Sequence, residues 1–264
     1  METYTADRAI EFIEAVPDRP FFMHISFDRP HPPLTPSGDA YNAADIPVPE
    51  SYTEEQLARL PTHIRHYVEE SWDGLNSTGR DGMQQLLAHY YALMSHIDHE
   101  IGRVLQALRD HGLYDDTIVV FCTDHGDMAG YKGLFNKYSN TIYHDDIIRT
   151  PLLIKWPRQT GAGEERMALA EAIDVFPTLA GICELDASAL PLDGTDLSTR
   201  EACKDVAFSE SYAIKTLIKD NWKLIYYVNM EEGELYDLQA DPEERVNLYA
   251  EAEHAVKVTE LKLE

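Results

Sequence analysis

Apolar residues recur at three- and four-residue steps from Met83 to Leu108, taking in Leu87, Tyr90, Leu93, Ile97, Ile101 and Val104. The spacing predicts a long amphipathic helix over 81–110, stopped by Gly112 in a left-handed turn. A second stripe of Ala9, Ile10, Phe12, Ile13 and Val16 predicts a shorter helix over 5–16. Thr5 is its N-cap, and the stretch from Pro17 to Pro20 stops it. Two runs follow a different rule: Phe21 to Phe27 and Thr117 to Thr123 are apolar almost without interruption. They read as strands buried on both faces, as parallel strands of an α/β sheet are. Ile147 to Trp156 predicts another strand, and 172–183 a helix with Pro177 near its first turn.

The stretch from Ser37 to Arg80 is polar and punctuated by proline, and reads as an irregular excursion over the surface, a lid or rim. From Glu184 the texture changes to short strands, Val206–Tyr212, Trp222–Val228 and Glu234–Leu238, separated by polar turns and followed by a charged helix. The pattern divides the chain into an α/β core over 1–183 and a C-terminal α+β unit over 184–264.

The candidate chemistry sits where the apolar runs stop. In an open α/β sheet, ligands collect beyond the carboxyl ends of the strands. The central run ends in Asp124-His125-Gly126. A carboxylate and an imidazole side by side can share a divalent ion, and a glycine lets the chain turn away tightly. The alternative is a polar turn without a ligand. The run 21–27 ends in Asp28-Arg29-Pro30-His31-Pro32-Pro33, where three prolines hold the imidazole in a stiff loop. The glycine-rich stretch 126–137 is expected to fold back over the strand end and bring Lys132 and Lys137 into reach. A lysine there would neutralise a metal-bound anion and protonate a leaving oxygen; otherwise both lysines face solvent. His96 and His99 share a face of the long helix without a general-base glutamate between them, which reads as a solvated or buttressing face rather than a metal site.

Composition narrows the partners. A formal net charge of -25 repels nucleic-acid phosphates but leaves room for a small anion in a locally cationic cleft. No stretch is apolar enough to span a bilayer. Cys122, Cys183 and Cys203 are scattered and read as buried free thiols. The first residues lack the basic and apolar regions of a signal peptide, so a chain starting here is expected in the cytoplasm.

Four segments, in this order, resemble the sulfatases of the alkaline phosphatase superfamily. They are Phe21 to Pro33, His96 to Leu113, Ile118 to Pro157, and Trp222 to Ile225 with Glu234 to Glu244. The resemblance implies an alkaline-phosphatase-like three-layer α/β sandwich, present in part, with a small C-terminal antiparallel sheet plus helix. It implies that Asp124 and His125 ligate a divalent metal, calcium by family habit, with manganese open because imidazole is a softer donor. It implies that Lys137 and His31 contact the sulfate or the leaving oxygen; Lys132, in reach on the same loop, is expected as a further substrate contact. One departure is clear. Sulfatases attack with a formylglycine made from a Cys/Ser-x-Pro/Ala-x-Arg motif, and no cysteine or serine here sits in one. The chain therefore resembles the C-terminal part of a hydrolase of small sulfate esters, with phosphonate or phosphodiester esters the alternative. Little turnover is expected from it alone. It would pair with a separate N-terminal half or associate with itself. An independent metallohydrolase using Asp124, His125 and His31 with a metal-bound water is the remaining alternative.

Overall fold

The computed structural model describes residues 1–15, 19–36, 38, 40–76, 79–137, 142–157, 161–199 and 204–263, and no side chains at 72–76. Helix α1 (Glu2–Ala15) lies against the long helix α4 (Gly79–Asp110). The contact is close because α1 presents Ala6 and Ala9 beside Ile13, facing Val104, Ala107 and Leu108. Arg103 ties the rim by donating to Asp7 and Glu100, both at 2.6 Å. Gly112, at φ +68°, ends α4, and Leu113 N–H closes back on Leu108 O at 2.9 Å. Helix α1 begins before Thr5, whose N–H already bonds Met1 O at 3.0 Å, so Thr5 is an interior residue and not the cap.

Residues 21–27 run extended along the α1–α4 pair. Phe21, Met23, Ile25 and Phe27 pack on it, while Phe22 stands 82% exposed. The segment is therefore covered on one face, not two, and forms no strand ladder among the described residues. The central run gives β1 (Val119–Cys122), which pairs with β2 (Leu152–Lys155) in antiparallel rather than parallel register, Val119 opposite Lys155 and Cys122 opposite Leu152. Val119 packs toward the helices, but the register partners Phe121 and Leu153 are 41% and 59% exposed. Burial on both faces, expected from the unbroken apolar run, is not found; an all-apolar strand here has a covered and an open end. Helix α5 (Asp145–Ile148) takes the first residues of the strand expected over 147–156. Cys122 and Cys183 are exposed free thiols rather than buried ones, and Cys203 lies outside the described residues.

The described part of the stretch 37–80 is mostly helical, and the inward faces of its helices are packed. Thr53 and Gln56 form a reciprocal capping box that opens α2 (Glu54–Arg59), and α3 (Thr62–Asn76) follows. Leu57, Leu60, Ile64 and Val68 enter the largest buried cluster together with Met128, Leu134, Ile225, Tyr227 and Tyr236. These helices thus tie the glycine-rich loop to the C-terminal sheet instead of forming a rim. Residues 37 and 39 lie outside the described residues.

Helix α6 (Val175–Ile182) carries Pro177 in its first turn, as its sequence predicts. The C-terminal sheet is a four-stranded antiparallel meander of β3 (Val206–Ser211), β4 (Ile214–Lys219), β5 (Trp222–Tyr227) and β6 (Gly233–Asp237). Strand β4 was not among the expected strands. The two-residue turn Asp220-Asn221 has φ of +51° and +64°, the backbone of a tight hairpin whose twist matches its strands. Helix α7 (Ala255–Leu261) seats Val258 and Leu261 on Leu217, Leu224 and Leu235. No helix among the described residues is long and apolar enough to cross a membrane.

Candidate active site

Strand β1 ends at Cys122, and the chain turns through Asp124-His125-Gly126. Gly126 N–H donates to Ile147 O at 2.7 Å, which fixes the strand end against α5. Its φ is not positive. A side chain is excluded here by close approach, since a Cβ would stand 2.0 Å from Asp146 O. The reason for glycine is therefore contact with a neighbouring backbone, not freedom to turn.

The His125 ring is oriented by its own loop, with Nδ1 2.7 Å from Gly126 O. A carbonyl only accepts, so Nδ1 carries the proton and Nε2 keeps its lone pair. Lys137 Nζ lies 3.0 Å from that Nε2 and donates to it. Asp124 Oδ2 is 3.6 Å from the same nitrogen, and its carboxylate is 88% exposed. An oxygen and an imidazole nitrogen at that separation fit two ligands of one ion at about 2.2 Å each. A ligating imidazole usually hands its other N–H to a carbonyl, as His125 does. Among the described residues no group of three or more His, Cys, Asp or Glu could hold a metal ion, and the pair brought together here is Asp124 and His125.

Asp127 holds the loop beyond the strand end. Its Oδ1 accepts from Ala129 N at 2.8 Å and Asn136 N at 3.0 Å. Burial pushes its carboxyl up, against those two bonds and against the nearby His125 and His31 imidazoles. His31 stands exposed on its proline loop, its Nδ1 2.9 Å from Pro32 O. Arg29 fastens that loop by donating to His31 O and Pro33 O. Asp127 was missed in the sequence; its position two residues after His125 was the available signal.

Lys132 is placed elsewhere. It is fully buried, with Nζ 2.9 Å from His144 Nδ1, 3.6 Å from Asp146 Oδ2 and 3.9 Å from Glu244 Oε2. A sealed ammonium cannot meet a ligand arriving from solvent, which corrects the expected substrate contact. Around it lies a buried polar cluster that sequence reasoning missed. His144 Nε2 bonds Glu234 Oε2 at 2.9 Å, and Tyr227 and Tyr236 donate to the same carboxylate. Lys223 pairs with Asp145 at 2.8 Å and Glu244 at 2.5 Å. Burial alone would raise Glu234, but His144 and the two phenols bring it down to about 2. His96, on α4, lies 3.4 Å from Thr3 Oγ1 and contributes to the α1–α4 seam.

The family model described as Sulfatase matches residues 2–184, and that described as N-sulphoglucosamine sulphohydrolase, C-terminal, matches residues 200–264. The chain is 28% identical over 296 residues to the multifunctional alkaline phosphatase superfamily protein PehA of Trinickia caryophylli, covering 97% of this chain and 57% of that protein. It is 26% identical over 284 residues to an arylsulfatase of Clostridium perfringens, covering 98% of this chain and 56% of that one. The phosphonate monoester hydrolase SpPMH from Silicibacter pomeroyi superposes with a TM-score of 0.82 at 25% identity, over 98% of this chain and 58% of that structure. The chain thus spans little more than half the length of these relatives. Its fold is the alkaline-phosphatase-like α/β arrangement they share, with a small antiparallel sheet toward the C-terminus. A family match over most of the chain identifies this protein as a member of the sulfatase family.

Proposed function

We propose that the chain forms part of a hydrolase of sulfate esters, with phosphonate or phosphodiester esters as the alternative substrates. The observation that carries this is Lys137 Nζ at 3.0 Å from His125 Nε2, beside the exposed Asp124 carboxylate. Asp124 and His125 would hold a divalent ion, calcium or manganese, which when bound supplies charge stabilisation to the transferring group. The Nδ1–H bond to Gly126 O keeps the lone pair on Nε2, so an ion taking that nitrogen would displace Lys137 Nζ from it toward the bound anion. Lys137 presents an ammonium where an anionic oxygen would rest, and can return a proton to a departing oxygen. His31, on its exposed proline loop, offers a second proton or anion contact. Because no Cys/Ser-x-Pro/Ala-x-Arg motif is present, the chain supplies no formylglycine nucleophile, and its unassisted turnover of an aryl sulfate is expected to be slight.

Metal and anion binding test the site without turnover. Replacing Asp124 and His125 together by alanine should abolish Mn²⁺ binding in calorimetry. Lys137→Met, which frees His125 Nε2 and removes a nearby positive charge, should bind Mn²⁺ at least as tightly but weaken sulfate binding about tenfold, the loss of one charge-assisted hydrogen bond. Unchanged Mn²⁺ affinity in the double variant would overturn the assignment.

A second reading concerns a partner. The extended segment 21–27 has no strand neighbour among the described residues, and the Phe121–Leu153 face is open. Both suit a polypeptide that extends the sheet. A second copy is disfavoured, since each chain carries a net charge of -25. Co-expression with the part of PehA that this chain does not cover should give a complex heavier than the 30.0 kDa chain. A sedimenting species that stays at the monomer mass argues against pairing.

A further inference from the structure

The loop that carries Lys137 is gripped at both ends. At its base, Asp127 accepts from Ala129 N and Asn136 N, and Met128 N–H reaches Asn136 O at 3.3 Å. At its tip, three consecutive residues from beyond β6 take hold. Glu243 Oε2 accepts from Arg245 Nε at 3.0 Å and braces that side chain. Glu244 Oε2 faces Lys132 Nζ at 3.9 Å, and the same oxygen accepts Asp145 N–H at 2.7 Å. Arg245 lies over the Tyr131 ring at 5.1 Å and donates to Ser51 O at 3.2 Å, next to the bridge between Ser51 and Lys132.

The tip is not held by local preference. Lys132 and Glu244 sit at φ +55° and +53°, conformations that residues with a side chain seldom adopt unaided. Such a backbone persists where tertiary contacts over-determine it. Between tip and base the chain is short and internally bonded, Gly130 N–H to Leu134 O at 2.7 Å, so a shift of Lys132 carries to Asn136 and Lys137. We propose that Glu244 and Lys132 are positioning residues for this loop, so that the segment following the C-terminal sheet sets where the Lys137 ammonium meets His125. The meaning of that setting for catalysis rests on the hydrolase reading above; the mechanical coupling does not.

Hydrogen–deuterium exchange separates the two. In Glu244→Gln, amides of 128–136 should exchange about tenfold faster or more, while those of α4 change by less than about twofold. Lys132→Met should do the same, and Lys132→Arg, which keeps the charge, should restore protection. Lys223→Met, which removes the other cation on Glu244 but does not touch the loop, guards against a general loss of charge balance and should loosen β5 and α5 instead. Loop amides that stay protected in Glu244→Gln, or that loosen no more than α4, overturn the proposal. Sulfate affinity measured on the same variants reports on the hydrolase reading separately: it should fall wherever the loop loosens. A loosened loop with unchanged sulfate affinity would leave the coupling standing and count against Lys137 as the anion contact.

Discussion

Replacing Glu234 by alanine is expected to lower the stability of the fold by about 3–5 kcal/mol, the cost of breaking a buried ion pair from one side. Glu234 is fully enclosed and accepts from His144, Tyr227 and Tyr236. Removing it strands an imidazole and two phenols in a site that water does not reach, and each stranded donor costs what its desolvation cost. The carboxylate also links stability to pH. Its folded value is about 2 against an ordinary 4.5. A depressed carboxyl contributes stability that is complete above its unfolded value and is lost as pH falls through the folded one. The window is therefore about pH 4.5 down to about 2, and the loss across it is about 3 kcal/mol. Urea unfolding at neutral pH and across that window checks both statements. Glu234→Gln should be less stable at neutral pH and should lack this part of the acid slope. An alanine variant within about 1 kcal/mol of the parent would mean that the cluster is not the closed network it looks to be.

What could be read in advance follows from how local each signal is. Helix α4 was legible because its stripe runs unbroken and Gly112 ends it by a rule internal to the segment. The 21–27 segment was half legible. Its inward set of Phe21, Met23, Ile25 and Phe27 alternates with His24 and Ser26, but Phe22 on the outer face made it look apolar throughout. Strand β4 escaped because Lys215, Thr216 and Lys219 dilute its apolar count, although Thr216 is buried. The helices of 54–76 carried a legible cap at Thr53 and Gln56 and a stripe from Leu57 to Val68, obscured by the prolines before them.

The site divides in the same way. Asp124, His125 and Lys137 are joined within one strand end and its loop, so short-range reasoning brings them together. Lys132 and Lys137 look equivalent in sequence. Only the left-handed backbone at Lys132, and the carboxylate of Glu244 more than a hundred positions away, turn one inward while the other stays at the strand end. No periodicity encodes that contact, and the ordinary fate of lysine is solvent. The same holds for His144 and Glu234, whose partnership spans 90 positions.

Gly126→Ala should damage the fold and the site together. The added Cβ would lie 2.0 Å from Asp146 O and 3.0 Å from Asp146 C, and both atoms are backbone. No side-chain rotation relieves that contact. Either α5 moves, which disturbs Asp145 and Asp146 in the buried cluster, or the strand end moves and takes Asp124 and His125 with it. Overpacking of this kind costs about 3 kcal/mol, at the upper end of the usual range because the clash is with main chain. The bond from Gly126 N–H to Ile147 O is lost in either case, and the carbonyl that orients the His125 ring moves with it. Mn²⁺ affinity should therefore fall along with the unfolding free energy. Gly102, inside α4 with nothing within 4 Å of a built Cβ, is the matched control: Gly102→Ala should be neutral or stabilising by up to about 1 kcal/mol. If Gly126→Ala binds Mn²⁺ and unfolds like the parent, the strand end is not pinned against α5, and the orientation of His125 by its own loop carries no weight in the site.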